Sequence, residues 1–221
     1  MVMLMKRFGL LLIMMLVFGL GLQPSEALAQ ETTKIYVNLW NNQLNLIKNG
    51  ERVAHFPIAP GSNRTPTPIG HFKVVQKSKD WGGGFGSRWL GLNVPWGKFG
   101  IHGTNRPYLV GRSVSSGCIR MRNRDVEELY PKVPVGTPVD IDGPIFGRGK
   151  YAYRNLSVGS KGTIVMLIQN HLRAAGLYDG PVDGIYGFST KEAVKRYQRL
   201  HNLPITGNVG KAVYREMGFI E

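Results

Sequence analysis

Cysteine is almost missing from this chain: Cys118 is the single thiol in 221 residues. One cysteine cannot close a disulfide within its own chain, which excludes a disulfide-stapled scaffold. It also leaves a zinc site without support, because one cysteine and five dispersed histidines match no usual ligand spacing. Acidic residues are scarce, 14 against 28 lysines and arginines, for a formal net charge of +14. No run of five basic residues accompanies that charge, so it marks no dedicated nucleic-acid patch. It describes a basic exterior suited to a polyanionic surface. Apolar runs are short as well: residues 9–22 form the longest, and a membrane span needs about 20 residues.

That run is informative in its place. Lys6 and Arg7 precede it, and Ala27-Leu28-Ala29 follows with the small-x-small pattern of a processing site. Residues 1–29 therefore read as a secretory signal peptide, with no stable membrane insertion after cleavage; the alternative reading is a retained membrane anchor. The remainder is expected to be secreted, outside the cytoplasmic membrane and associated with the cell wall. An odd cysteine there suggests an intermolecular bond or a reactive thiol, against the common fate of a free cysteine as a small buried hydrophobe.

The alternation in KIYVNLW, at 34–40, predicts a strand. QLNLIK and VAHFPIA follow, separated by Asn49-Gly50, a strong hairpin signal. HFKVVQ, RWLGLNV, FGIHG and TPVDI (137–141) read as further strands. Pro66 and Pro68 enforce an extended path in GSNRTPTPIG. The glycine-rich DWGGGFGS, at 80–87, reads as a mobile flap. NRDVEELYPKV predicts one short helix capped by Asn123. Residues 143–156 read as a linker. Residues 157–221 predict a three-helix module, with Ile164, Leu167, Ile168, Leu172 and Ala175 on one face of its first helix. Ser189 to Glu192 reads as a capping box, followed by a face of Ala193, Val194, Tyr197 and Leu200. Lys211 to Met217 is its third helix. The fold class is α+β: a mainly β domain at 33–142 followed by a small helical domain.

A nucleophilic cysteine needs help to reach the thiolate and donors for the oxyanion it creates. The segment IHGTNRPYLVGRSVSSGCIRM, at 101–121, offers both in kind. His102 is the candidate base. Ser115-Ser116-Gly117-Cys118 is a small-residue turn whose Gly117 and Cys118 amides could meet one oxygen. Arg120 shares a face with Cys118 if the segment is extended, and places a cation beside the thiol. His55, His71, His171 and His201 are assigned structural roles.

These motifs resemble the catalytic signature of the L,D-transpeptidase (YkuD-type) family: a histidine, a gap of about fifteen residues, then S/T-x-G-C-I/V-R. GSNRTPTPIGHF resembles the family's T-P-x-G-x-F stretch. Many members carry histidine where this chain has Ser116. The resemblance implies a mixed β-sandwich with a short helix. It implies that Cys118 attacks the third residue of a peptidoglycan tetrapeptide stem and releases the terminal D-alanine, and that an amine resolves the thioester to a 3→3 cross-link. It further implies His102 as proton donor and acceptor, oriented by the Gly103 carbonyl, and Gly117 as an oxyanion amide. Arg120, Ser115 and Ser116 would bind substrate. No cofactor or metal is implied, and carbapenems are expected to acylate Cys118. From Asp183 to Gln198 the second module resembles a peptidoglycan-binding family. The implied partners are stem peptides and glycan strands, with anionic wall polymers beside them and no nucleic acid. Competing readings are an L,D-carboxypeptidase or other wall-directed thiol hydrolase, a sortase, and a non-catalytic wall-binding protein. The short His-to-Cys gap and the order of the two residues disfavour the sortase.

Overall fold

The computed structural model describes residues 32–221. The signal segment read at 1–29 lies outside them. Eight strands form one curled sheet in the order β3-β2-β1-β8-β4-β5-β6-β7. Strands β1 (Thr33–Asn38), β2 (Gln43–Lys48) and β3 (Glu51–Pro57) are an antiparallel meander. Asn49 and Gly50 take φ of 51° and 83°, the left-handed pair that matches hairpin twist. At the preceding turn, Asn38 Oδ1 accepts from the amides of Trp40 and Asn41, and Asn42 follows with φ of 55°.

β8 (Pro138–Asp142) returns to run parallel to β1 and antiparallel to β4 (Gly70–Lys79). β4 has two partners. Its first four residues pair with β8, and from Val74 onward it pairs with β5 (Arg88–Leu92), with a register shift between Val74 and Gln76. An irregularity of this kind bends a strand and raises its twist. The expected sandwich is thus a single sheet curled through one long strand, its two halves sharing β4. Ile35, Val37, Leu44, Leu46, Val74, Leu90, Ile101 and Val139 are fully buried inside the curl. Each such aliphatic side chain contributes roughly 1.5–3 kcal/mol by leaving water.

β6 (Phe99–His102) pairs with β5, and the two-residue β7 (Ile119–Arg120) runs parallel to β6. Two residues are little to hold a strand. Ala59 supplies a second edge: its amide donates to the Arg120 carbonyl and its carbonyl accepts from the Arg120 amide, at 2.8 and 3.0 Å. Helix α1 (Asn123–Leu129) buries Asp125, Val126 and Leu129 beside β5 and β6. Its N-cap is Arg122, without a side-chain cap bond. The capping role expected of Asn123 is not seen, because its side chain turns to the neighbouring loops.

The C-terminal region holds α2 (Thr163–Ala174), α3 (Phe188–Leu200), α4 (Lys211–Glu216) and a 3₁₀ turn at Gly149–Tyr151. On α2 the inward residues are Ile164, Val165, Ile168 and Leu172; Ala175 lies past the helix end and is exposed. α3 begins at Phe188 with Gly187 as cap, so Ser189 does not close a capping box, and Glu192 pairs with Lys195 instead. Leu200 is exposed, and His201 takes the inward turn, stacking on Tyr197 at 4.2 Å. The buried Gln169 accepts from the Gly184 amide at 2.8 Å, and its amide nitrogen lies 3.0 Å from Asp183 Oδ1 and from the Ile185 carbonyl. Gly184 takes φ of 70°, the left-handed conformation that the D-G turn requires. Within residues 143–156, read from composition as a linker, Phe146 and Tyr153 stack together and pack against Tyr214 and Phe219. That segment is built into the helical region.

Candidate active site

The parallel pair β6–β7 aligns His102 with Arg120 and Ile101 with Ile119. The antiparallel pair β5–β6 aligns Trp89 with His102. Residues in register across a sheet share a face, so Trp89, His102 and Arg120 form one row over three strands. Cys118 lies two residues before Arg120, at the mouth of the same face. The indole of Trp89 stacks on the imidazole at 5.6 Å and an interplanar angle of 28°. A Cβ at Gly100 would come within 2.6 Å of that indole, so glycine there makes room for the ring.

His102 is buried, only 2% exposed. Its Nδ1–H donates to the Gly103 carbonyl at 2.5 Å, which leaves Nε2 with a lone pair. Burial drives the imidazole down to about 4; the nearby Arg120 charge pulls the same way, while the Gly103 and Phe85 carbonyls oppose it. Burial likewise pushes the Cys118 thiol up, against a Gly100 backbone hydrogen bond and the Arg120 charge that pull it down. A cation beside the thiol was expected to favour thiolate. Arg120 does so, but desolvation outweighs it. The resting pair is a neutral thiol and a neutral imidazole, not an ion pair.

The turn before Cys118 is fixed from both sides. Ser115 Oγ donates to the Cys118 carbonyl at 2.5 Å and accepts from the Gly117 amide at 3.0 Å. The Ser115 carbonyl accepts from Thr65 Oγ1 and from the Ser62 amide, so the proline-containing loop braces the turn. Gly117 has φ of 115°, and a Cβ there would meet Phe99 at 2.6 Å. The Gly117 amide, expected as an oxyanion donor, is engaged by Ser115 Oγ. Among the described residues the Cys118 amide has no acceptor. Ser115 itself is buried at 2% and acts on the turn, and the exposed Ser116 lines an adjoining cavity. Arg120 Nε is buried and has no acceptor among the described residues.

Two contributors, Asn123 and Phe85, were not found from sequence. Asn123 Oδ1 accepts from the amides of Thr104 and Ser87 at 3.1 and 3.3 Å. A Cβ at Gly103 or Gly86 would strike that oxygen at 2.2 Å, so both glycines exist to let Asn123 in. Phe85, from the glycine-rich flap, covers the histidine: its ring lies 5.0 Å from His102 and 5.6 Å from Trp89. Only the glycines around these residues gave a signal. The other histidines stand elsewhere. His71 pairs with Asp140 and His201 with Glu216, while His171 meets Tyr197 edge-on and His55 lies on β3. Among the described residues no group of three or more His, Cys, Asp or Glu gathers as for a metal.

A thiol, a buried imidazole whose Nδ1–H is held by a carbonyl, a neighbouring cation and a glycine-shaped turn are the parts that thiol acyl transfer uses. The comparisons place them. Residues 32–141 match the L,D-transpeptidase catalytic domain family, and residues 161–217 match a family described as a peptidoglycan binding domain. The L,D-transpeptidase YqjB of Bacillus subtilis is 38% identical over 120 residues, 48% of this chain and 68% of that protein. The YkuD proteins of Bacillus licheniformis and Bacillus subtilis, named as L,D-transpeptidases, are 46% and 44% identical over 108 residues, 49% of this chain in each case. The chain spans 64% and 65% of the length of those two relatives. The solved catalytic domain of an Enterococcus faecium L,D-transpeptidase is 28% identical, with a TM-score of 0.45 over 52% of this chain and 99% of that one. The chain belongs to the L,D-transpeptidase catalytic domain family, an enzyme class.

Proposed function

We propose that this protein is a peptidoglycan L,D-transpeptidase that forms 3→3 cross-links through a thioester on Cys118. The observation that carries the reading is the polarised tautomer of His102. With Nδ1–H held by Gly103, Nε2 is left as the ring's acceptor, and His102 stands in register with Arg120, two residues past Cys118. Cys118 Sγ attacks the carbonyl carbon of the third stem residue as its proton passes to His102 Nε2. The oxyanion is met by the Cys118 amide and the Arg120 guanidinium. Collapse breaks the peptide bond, and the departing D-alanine amine takes the proton from Nε2. The side-chain amine of a second stem then attacks the thioester and gives its proton to Nε2. That step forms the new peptide bond and returns the thiol. Proton transfer in step with attack suits a pair that rests neutral. The short apolar run at 9–22 and the lone thiol support action outside the cytoplasmic membrane. The helical module would hold wall material there.

The test is incubation of residues 30–221 with purified disaccharide-tetrapeptide and mass spectrometry of the products. Cross-linked dimer and free D-alanine are expected, both lost in Cys118→Ala. Turnover that survives Cys118→Ala removes the nucleophile from this assignment. Tripeptide without dimer would make water the acceptor.

A further inference from the structure

A cavity of about 330 Å³ lies between the catalytic sheet and the helical region. One wall is the loop Asn63–Ile69 with Trp96, Phe99 and Ser116; the other is the chain around Arg154 and Lys161–Ile164. The walls are joined by chemistry that fixes their spacing. Thr163, the first residue of α2, accepts from the Ile69 amide at 2.9 Å and donates to the Ile69 carbonyl at 3.1 Å. Trp96 packs so closely on Gly184 that a Cβ there would meet the indole at 2.5 Å. The helical module is therefore seated on the catalytic domain.

The charge of this cavity is one-sided. Arg64, Arg154 and Lys161 line it, and no aspartate or glutamate does. None of the three has a carboxylate partner among the described residues. Arg154 Nη2 donates to the Lys161 carbonyl at 3.0 Å, which holds the two basic residues together on one wall. Pro66, Trp96, Phe99 and Ile164 supply apolar surface between the charges. The inner end reaches Ser116 and Phe99, and the Phe99 ring lies directly against Gly117. A ligand in the cavity would thus run up to the turn that carries Cys118.

We propose that this cleft is a binding site for a carboxylate-bearing segment of the stem peptide, and that the helical module builds half of it. The module then acts as a wall of the active-site approach, in addition to any hold on the glycan. Unpaired cations in a concave, partly apolar site favour an anionic ligand over a neutral one. The volume is at the lower end of small-ligand sites, enough for a few residues of peptide. The peptide is chosen over a phosphate polymer because the cleft leads to the nucleophile, where the proposed reaction requires peptide. The inference rests on that reading for the identity of its ligand.

The experiment is calorimetric titration of disaccharide-tetrapeptide into residues 30–221 carrying Cys118→Ala, which binds without turnover. The same titration is made with Arg154→Glu and Lys161→Glu added, and with peptide whose carboxylates are amidated. Binding at least 10-fold weaker is expected for the charge-reversed protein, and the amidated peptide should lose affinity only for the unreversed one. Circular dichroism and thermal unfolding check that the reversed protein is folded. Equal affinity in both proteins, or no binding to Cys118→Ala, overturns the proposal. Polyglycerol phosphate displacing the peptide only from elsewhere leaves the cleft to peptide; tighter, charge-dependent binding of that polymer in the cleft overturns the choice of ligand. Turnover by the unsubstituted protein is assayed separately. Charge-dependent binding without turnover sinks the transpeptidase reading and keeps the cleft. Normal turnover with charge-independent binding does the reverse.

Discussion

His102 and Arg120 stand opposite each other across the parallel pair of β6 and β7. The cation acts on both halves of the reacting pair, lowering the imidazole and the Cys118 thiol together. It does not make an ion pair of them, because it disfavours the imidazolium while favouring the thiolate, and burial, the larger cause, keeps both groups neutral. Its useful effect is on negative charge that appears during reaction. Arg120→Met should cut kcat/KM by about 100-fold, the usual cost of one lost oxyanion donor. The thiol should move further up and the imidazole back toward its ordinary value. Arg120→Lys restores charge without the planar fork, and only partial recovery is expected. Cys118 alkylation rates against pH and steady-state kinetics on the tetrapeptide read both effects.

An imidazole held at about 4 sets the acid side of the pH profile. An ordinary histidine near 6.5 would be mostly protonated at pH 5.5; His102 stays a base there. The kcat/KM profile should remain level down to about pH 5 and fall only near 4. Phe85→Ala, by opening the cover over the ring, should move that limb upward. Stability follows from the same shift. Between pH 6.5 and 4 the unfolded chain binds a proton at this histidine that the native state does not, so stability falls as pH falls through that window. The loss is on the order of 3 kcal/mol at pH 4 relative to pH 7. Urea midpoints of wild type and His102→Gln should converge as the pH is lowered. Parallel midpoints across the range would contradict it.

Much of this molecule was legible because local chemistry and tertiary demand agree. Asn49-Gly50 needs no partner to specify a hairpin, and the alternation of Ile35 and Val37 needs only a core to face. The His-to-Cys spacing named the site because β6 and β7 are adjacent and short. What was hidden depends on residues brought together from afar. Ser115 consumes the Gly117 amide through a turn whose geometry no spacing encodes. Asn123 sits where a helix cap would stand, and its side chain serves loops 19 and 36 residues away. Leu200 continues an apolar face by helical count but falls at the helix end and is exposed, while the half-buried His201 stacks on Tyr197. The curl of the sheet arises from one register shift in β4, which alternating hydrophobicity does not reveal.

Asn123 should behave as a positioning residue. Its oxygen holds the amides on both sides of the Gly103 carbonyl region and the flap, and through them the tautomer of His102. Asn123→Ala leaves two backbone donors unpaired, at a cost of about 1–3 kcal/mol. A loss in kcat with little change in KM is expected, together with a shift of the acid limb as the Gly103 carbonyl loosens. Asn123→Asp retains an acceptor oxygen and should recover most of the kcat. A stability loss with kcat and acid limb unchanged would reduce Asn123 to a structural role.

One hydroxyl joins α2 to the catalytic domain by two hydrogen bonds, beside the Trp96–Gly184 contact. Thr163 satisfies both backbone groups of the buried Ile69, and valine can satisfy neither. Thr163→Val should cost about 1–3 kcal/mol, or roughly 2–12 °C in Tm for a chain of this size. Thr163→Ser keeps the hydroxyl and should stay near wild type. If the two regions unfold as one body in the native protein, far-ultraviolet and tryptophan signals share a midpoint. In Thr163→Val the Trp96 environment should be released first, so the tryptophan midpoint drops below the helical one. A coincident pair of midpoints in the variant would place the cohesion of the two regions in the Trp96–Gly184 contact and not in the hydroxyl.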